Sequence, residues 1–209
     1  MKILLADDHP VVRAGLKLIL SSLNIANLIE EAKDGNEALS KIKTGEFDFV
    51  ILDISMPGQS GLDILKVLKN SNLNVRILIL SVHPQRQYAV RALKLGAAGY
   101  ISKNSAPQEL ELAIRKIFAG EIYISSDITR NLVSDLSKKN DISLHERLSE
   151  REFQIMCFLA QGIPITEIGK RLFISERTVS THRTRLLEKM EMKSNTELAL
   201  YAYKNDLID

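Results

Sequence analysis

Short apolar runs and amphipathic stretches alternate along about the first 120 residues. Ile3-Leu4-Leu5-Ala6, Phe49-Val50-Ile51-Leu52, Val75-Arg76-Ile77-Leu78-Ile79-Leu80 and Gly99-Tyr100-Ile101-Ser102 are nearly continuous apolar runs of strand length. That is the texture of parallel strands buried on both faces. Helical segments are predicted between them, at about 11–22, 36–43, 62–70, 87–95 and 107–119. In the last of these, Leu110, Ala113, Ile114 and Ile117 recur at helical spacing. Such alternation predicts an α/β fold, a five-stranded doubly wound parallel sheet with helices on both faces.

The texture changes after Ile124. Ser125-Ser126-Asp127 is suited to cap a short helix through Leu136, and Ser137-Lys138-Lys139-Asn140-Asp141 is polar and breaker-rich. The expected division is therefore a first domain over 1–124, a linker with a short helix over 125–145, and a small all-α domain of four helices over 146–209. In that last part Ser149 and Glu152 form a capping-box pattern, Gly162 and Pro164 stop the helix, and Ile165, Ile168 and Leu172 share one face of the next. A tight Phe173-Ile174-Ser175 turn leads to a helix over 176–190, which makes a helix-turn-helix candidate. At about 100° per residue, Val179, His182, Leu186 and Met190 form the core stripe of that helix. Arg177, Thr181, Thr184 and Glu188 lie opposite, Ser180 beside them, with Thr178, Arg185 and Lys189 on one flank and Arg183 on the other. Short polar groups flanked by fixed positive charge suit a helix in the major groove, whereas a solvated amphipathic helix fits the composition equally. Residues 143–209 carry ten basic and ten acidic side chains, so charge alone does not decide.

Whole-chain composition narrows the classes. With 45% hydrophobic residues over 209, the chain can furnish two modest cores, and the net charge of +2 argues neither for nor against nucleic acid. One cysteine, Cys157, excludes a disulfide framework and sits in an apolar stretch, where packing is its expected use. No apolar run approaches the roughly 20 residues of a membrane span, which points to a cytoplasmic protein without a membrane partner. His9, His83, His145 and His182 are dispersed without metal-ligand spacing, so no zinc site is expected; His83, two residues beyond Ser81, is a candidate site neighbour or a loop residue.

The chemistry is concentrated where strands end. Asp7 and Asp8 follow the first run and Asp53 follows the run 49–52, while Ser81 and Lys103 close two later runs. Carboxyl ends of strands in an open α/β sheet are where ligands bind, so three acids, a hydroxyl and an amine converge on one edge. Clustered carboxylates repel one another, and a hard cation with oxygen ligands, Mg²⁺, relieves them.

This constellation resembles the receiver domain of bacterial two-component response regulators, a flavodoxin-like fold, over residues 1 to about 120. Met56-Pro57-Gly58 matches that family's turn after the phosphorylated strand. The resemblance implies that Asp53 is the phosphoacceptor, that Asp7, Asp8, Asp53 and the Ser55 carbonyl hold Mg²⁺, and that Ser81 and Lys103 contact phosphoryl oxygens. It further implies that Tyr100 changes rotamer with the Ser81 hydroxyl; an exposed edge aromatic is the plainer alternative. Asn104 stands where many receivers have proline, so a cis bond after Lys103 is less expected.

The second half is similar to the LuxR-type helix-turn-helix of the NarL/FixJ response regulators. The similarity is carried by Leu148-Ser149-Glu150-Arg151-Glu152, Gln161-Gly162, Ile168-Gly169, Leu172-Phe173-Ile174-Ser175, Thr178-Val179, His182 and Leu187-Glu188-Lys189-Met190; Pro164 and Ile165 depart from it. It implies DNA contact through Arg177, Thr178, Ser180, Thr181, Arg183, Thr184, Arg185 and Lys189, and a last helix, 195–203, whose Leu198, Tyr201 and Ala202 serve core or dimer. The expected function is a phosphorylation-dependent DNA-binding transcription regulator and not an enzyme. Its expected partners are a sensor histidine kinase, double-stranded promoter DNA and a second copy on activation, with RNA polymerase a further candidate. One alternative is a receiver that gates protein contacts without DNA binding. Another is a phosphatase-like enzyme using Asp53 as a transient nucleophile, which would want a general acid where the chain has Ser55.

Overall fold

The computed structural model describes residues 1–71, 73, 75–82, 86–126, 128–129, 144–205 and 207–208, with residues 86, 87 and 146 described by their backbone alone. The chain divides into two compact units, Met1–Leu136 and Ser137–Asp209. His83 lies outside the described residues, as does most of the expected linker helix, of which residues 126, 128 and 129 are helical.

In the first unit the apolar runs form β1 (Lys2–Ala6), β3 (Phe49–Asp53), β4 (Arg76–Ser81) and β5 (Gly99–Ser102), joined by the less apolar β2 (Leu28–Ala32) and a two-residue β6 (Tyr123–Ile124). All pair in parallel in the order β2-β1-β3-β4-β5-β6. The sheet thus has six strands where five are expected from the pattern. The sixth escapes notice because two residues are too short to show a period, yet Tyr123 and Ile124 register against Gly99 and Tyr100. Five helices cross between strands: α1 (Pro10–Ser22), α2 (Gly35–Thr44), α3 (Gly61–Lys69), α4 (Arg86–Lys94) and α5 (Ala106–Phe118). Because successive strand residues face opposite ways, Ile3, Leu5, Phe49, Ile51, Leu78, Leu80 and Ile101 meet Leu16 and Leu20 of α1 and Leu110, Ala113, Ile114 and Ile117 of α5 in one core. Leu4, Val50, Leu52, Ile77 and Ile79, equally buried, face the other way, the side on which α2, α3 and α4 pack.

Chain order and strand order diverge at β1. The chain leaves β1 for β2 on one side and returns to β3 on the other, so the crevice beyond their carboxyl ends is the topological switch point, the place where such sheets bind ligands.

The second unit is helical among its described residues: a short 3₁₀ turn (Leu144–Arg147), then α6 (Glu150–Ala160), α7 (Ile165–Arg171), α8 (Glu176–Lys189) and α9 (Asn195–Lys204). Helix α6 packs against α8 and α9 and carries an almost wholly buried run from Glu152 to Ala160. Its start is the expected capping box: Ser149 Oγ accepts from Glu152 N and Glu152 Oε2 accepts from Ser149 N at 2.8 Å. Gly162 takes φ +76°, the left-handed stop that glycine makes cheap. Cys157 is a buried thiol. No helix among the described residues is long and apolar enough to cross a membrane.

Candidate functional site

The register of the sheet assembles the acidic site. Ala6 of β1 pairs with Leu52 of β3, so the next residues, Asp7 and Asp53, stand side by side at the switch point. Each is only 1% exposed. Lys103, one residue beyond β5, is brought in by its backbone N–H, which donates to the Ser81 carbonyl at 2.7 Å. Its ammonium then lies 2.7 Å from Asp7 Oδ2 and 2.8 Å from Asp53 Oδ2. The Lys103–Asn104 bond is trans, like every peptide bond described.

Local backbone geometry keeps the pocket tight. After Asp53 the chain turns back through Gly58, at φ +78°, and Gly61 N donates to Ile54 O at 3.0 Å. A Cβ on Gly61 would stand 2.3 Å from the Asp53 carbonyl oxygen, so no larger residue fits where α3 begins. Asp7 is fixed from its own loop: His9 N donates to Asp7 Oδ1 at 2.8 Å, and Arg13 Nη1 donates to the Asp7 carbonyl at 2.6 Å while its Nε holds Glu31.

Burial pushes the Asp53 carboxyl up to about 7; the Lys103 ammonium pulls it down, and the neighbouring Asp7 charge pushes it up again. The Ser55 backbone N–H faces the same carboxylate and favours its charged form. Burial lowers the Lys103 pKa, but Asp53 and Asp7 together outweigh it and leave the ammonium firmly charged. One oxygen, Asp53 Oδ1, is buried without a hydrogen-bond partner. Ligand atoms of Asp7, Asp8, His9 and Asp53 all lie within 4.8 Å of one another, a group able to hold a metal ion. Three carboxylates against one lysine leave a negative excess that a cation would relieve, and the orphaned Asp53 oxygen shows where it would be drawn.

The structure therefore gathers Asp7, Asp8, Asp53 and Lys103 at one point. Ser81, the last residue of β4, and Tyr100, within β5, are wholly buried. Tyr100 is not an edge aromatic, because β6 covers that side of β5. His9 joins the acids in a way spacing along the chain does not reveal: Nδ1 lies 2.8 Å from Asp8 Oδ1 and 3.3 Å from Asp7 Oδ1.

In the second unit, helices α7 and α8 enclose a four-residue turn. Gly169 allows it, since a Cβ there would meet Ile174 O at 2.8 Å, and Phe173 takes the left-handed region at φ 53°. Ser175 caps α8, accepting from Thr178 N at 3.1 Å and pairing with Thr178 Oγ1 at 2.7 Å. Val179, Leu186, Leu187 and Met190 are buried and His182 half-buried, while Arg177, Ser180, Thr181, Thr184, Arg185 and Glu188 are exposed together. The expected stripe thus faces the core, with Leu187 added to it. Two expected flank residues are engaged within the domain. Arg183 Nε donates to Asn195 Oδ1 at 2.8 Å, and Lys189 Nζ donates to the buried Glu152 Oε2 at 2.6 Å. On α9, Leu198 and Ala202 are core, and Tyr201 Oη meets His145 Nδ1 at 3.0 Å.

A parallel sheet with an acid cluster and a lysine at its switch point, followed by a helical unit built on a helix-turn-helix, defines a receiver joined to a DNA-binding effector. The chain belongs to the response regulators of the NarL/FixJ family. Residues 3–115 match the response regulator receiver domain and residues 146–202 match the bacterial regulatory proteins of the luxR family. The response regulator UvrY of Escherichia coli K12 is 36% identical over 208 residues, covering 99% of this chain and 95% of that one. The oxygen regulatory protein NreC of Staphylococcus haemolyticus is 37% identical over 216 residues and the whole of both chains. Among solved structures, RcsB of Salmonella enterica serovar Typhimurium bound to promoter P1flhDC with the phosphomimetic BeF3⁻ is 25% identical, with TM-score 0.62 over 96% of this chain and 97% of that one. The response regulator ChrA of a heme-sensing two-component system is 32% identical, with TM-score 0.53 over 99% and 98%. The chain is a DNA-binding transcription regulator, and the reading as a protein-contact module without DNA binding is set aside by the luxR-family match.

Proposed function

We propose that Asp53 accepts a phosphoryl group from the phosphohistidine of a sensor histidine kinase, and that the aspartyl phosphate promotes dimerisation and promoter binding through α8. One observation carries the first half: Asp53 is buried beside Lys103, with Oδ1 unpaired, among carboxylates able to hold a metal ion. In the transfer a carboxylate oxygen forms the new bond to phosphorus as the phosphorus–nitrogen bond of the donor breaks. Lys103 stands where charge gathers on the phosphoryl oxygens, already ionised and already oriented. Mg²⁺, held by Asp7, Asp8, Asp53 and the Ser55 carbonyl, supplies neutralisation of those oxygens when bound. Ser81 and Tyr100 read the product: the hydroxyl of Ser81 turns to the phosphoryl group and Tyr100 follows, shifting an existing equilibrium between two arrangements of the neighbouring surface. Asp53 thus works as a switch and not as the nucleophile of a turnover cycle.

For the output, Ser180, Thr181 and Thr184 face base edges, and Arg177 and Arg185 face phosphates. Thr181 Oγ1 donates to Arg177 O at 2.9 Å and Thr184 Oγ1 to Ser180 O at 3.2 Å. With those hydrogens spent on the helix, each threonine offers acceptor lone pairs and a methyl group, suited to an exocyclic amine or a thymine methyl. Thr178 is committed to the cap, Arg183 to Asn195 and Lys189 to Glu152, so their part in binding is to hold α8 in place. The working division is receiver 1–124, linker 125–145 and effector 146–209, in a cytoplasmic protein whose bound dimer would meet RNA polymerase. Two solved structures of RcsB support the output: in one, two dimers are bound to two parallel DNAs, and in the other the protein sits on a promoter in the presence of a phosphomimetic.

Radiolabelled acetyl phosphate in Mg²⁺ buffer tests the acceptor. Wild type is labelled, Asp53→Asn is not, and a chelator abolishes labelling of the wild type. Undiminished labelling of Asp53→Asn would remove Asp53 from its role, and chelator-resistant labelling would remove the metal.

A further inference from the structure

The first turn of α6 touches the structure that aims α8 both before that helix begins and in its last turn. Arg151 Nη2 donates to Leu172 O at 2.7 Å. Leu172 is the C-cap of α7, the residue before Phe173 at φ 53°, and it opens the turn that delivers α8. The other arm of the guanidinium, Nη1, donates to Oε1 of the wholly buried Gln154 at 3.1 Å, which fixes the plane of the fork. One residue on, Glu152, 3% exposed, accepts from Lys189 Nζ at 2.6 Å in the last turn of α8. A bond from Ser149 N, at 2.8 Å, also ties it to the start of α6. Adjacent residues therefore hold the turn that leads into one helix of 14 residues and the last turn of that same helix. An exposed lysine on a flexible stem gains little from a surface pair, but here the partner is buried and already positioned.

We propose that Arg151 and Glu152 are positioning residues for DNA recognition: a two-point clamp that sets how α8 lies in the groove and so determines base discrimination without contacting a base. A fork that bonds a carbonyl and a buried amide in fixed planes is a job for arginine; lysine in its place keeps the charge and loses the geometry. Base readout needs side chains placed within about 0.5 Å, whereas phosphate attraction tolerates a looser helix. Loosening the clamp therefore lowers discrimination more than general affinity.

This inference rests on α8 being the element that faces DNA, and the experiment separates the two. The full chain, treated with acetyl phosphate and Mg²⁺, is used to select duplexes from a random pool; binding of the best duplex and of a random-sequence duplex is then measured at several salt concentrations. Arg151→Lys and Glu152→Gln are expected to lose about tenfold in the ratio of selected to random affinity, with random binding and the salt slope unchanged. Arg185→Gln, a phosphate-contact control, is expected to keep the ratio and to lower the slope by about one unit. An unchanged ratio in Arg151→Lys and Glu152→Gln overturns the clamp. So does a slope lowered by about one in Arg151→Ala, which would make Arg151 a phosphate contact. Thr184→Ala tests the underlying reading by itself: a changed base preference there with no effect at Arg151 and Glu152 keeps α8 as reader and rejects the clamp. Should Arg151→Ala lose helical signal, Glu152→Gln, which removes the other grip, decides the matter by the same ratio.

Discussion

Asp53 is a residue whose surroundings oppose its charge and whose proposed task uses that charge. Burial raises its pKa to about 7, so between about pH 4 and pH 7 the folded state holds more protons at this site than the unfolded chain. Stability attributable to Asp53 is then greatest at the acid end and falls as pH rises through 7. Asp53→Asn removes the penalty. We expect it to be more stable than wild type at pH 8, by on the order of a few kcal/mol, with the difference shrinking towards pH 4.5. Calorimetry across that range checks this, and a wild type more stable than the variant at pH 8 would contradict it. Saturating Mg²⁺, binding only the folded form, should raise the wild-type stability by about 2–3 kcal/mol at a hundredfold excess over its dissociation constant and leave Asp53→Asn little changed. The strand-end acids and Lys103 were legible in the chain because an apolar run that stops at a charged side chain marks a sheet edge. His9 was not, since its approach to Asp8 depends on the loop's turn and not on spacing.

At the scale of elements, helices announced themselves through caps and periods, and contacts between them did not. Ser149 with Glu152 reads as a capping box in the chain, but the pair of Glu152 with Lys189 spans 37 residues and exists only once α6 and α8 pack. The Lys189 ammonium, the Ser149 backbone and the Ser149 side chain together outweigh burial and hold the Glu152 carboxyl below its usual range. Its contribution is therefore present above pH 4.5 and lost as pH falls further. Removing Lys189 leaves Glu152 buried and unpaired. Lys189→Ala should cost about 1–3 kcal/mol at pH 7, and less near pH 4, where the stranded acid takes up a proton. Equal losses at both pH values would show that the lysine acts through its stem alone. Strand β2 was faint for the opposite reason: at the edge of the sheet it carries half-exposed Glu30 and Glu31, so its run is broken by charge. Gly169 belongs to this scale too. A methyl group 2.8 Å from Ile174 O must push the turn aside, so Gly169→Ala should lower the melting temperature and weaken duplex binding together, a joint loss that thermal melts and titration would reveal.

For the whole molecule, two units with different textures share one chain: a sheet whose switch point gathers charge, and a helical unit that exposes one polar helix face. The fold of each half, and the gathering of Asp7, Asp8, Asp53 and Lys103 at one sheet edge, were readable from pattern and motif, since both depend on local sequence. What couples them was not, because a regulatory equilibrium is a small free-energy difference between two arrangements of the same residues. That coupling, in which a phosphoryl group on Asp53 tightens DNA binding by α8, is the central claim. The direct measurement is titration of a selected duplex with the full chain, before and after acetyl phosphate and Mg²⁺, for wild type and Asp53→Asn side by side. Wild-type affinity should rise by about 5–150-fold, the span of ordinary coupling free energies, while Asp53→Asn stays at its starting value. A rise of the same size in Asp53→Asn, or no rise in a wild type shown to be phosphorylated, would contradict it.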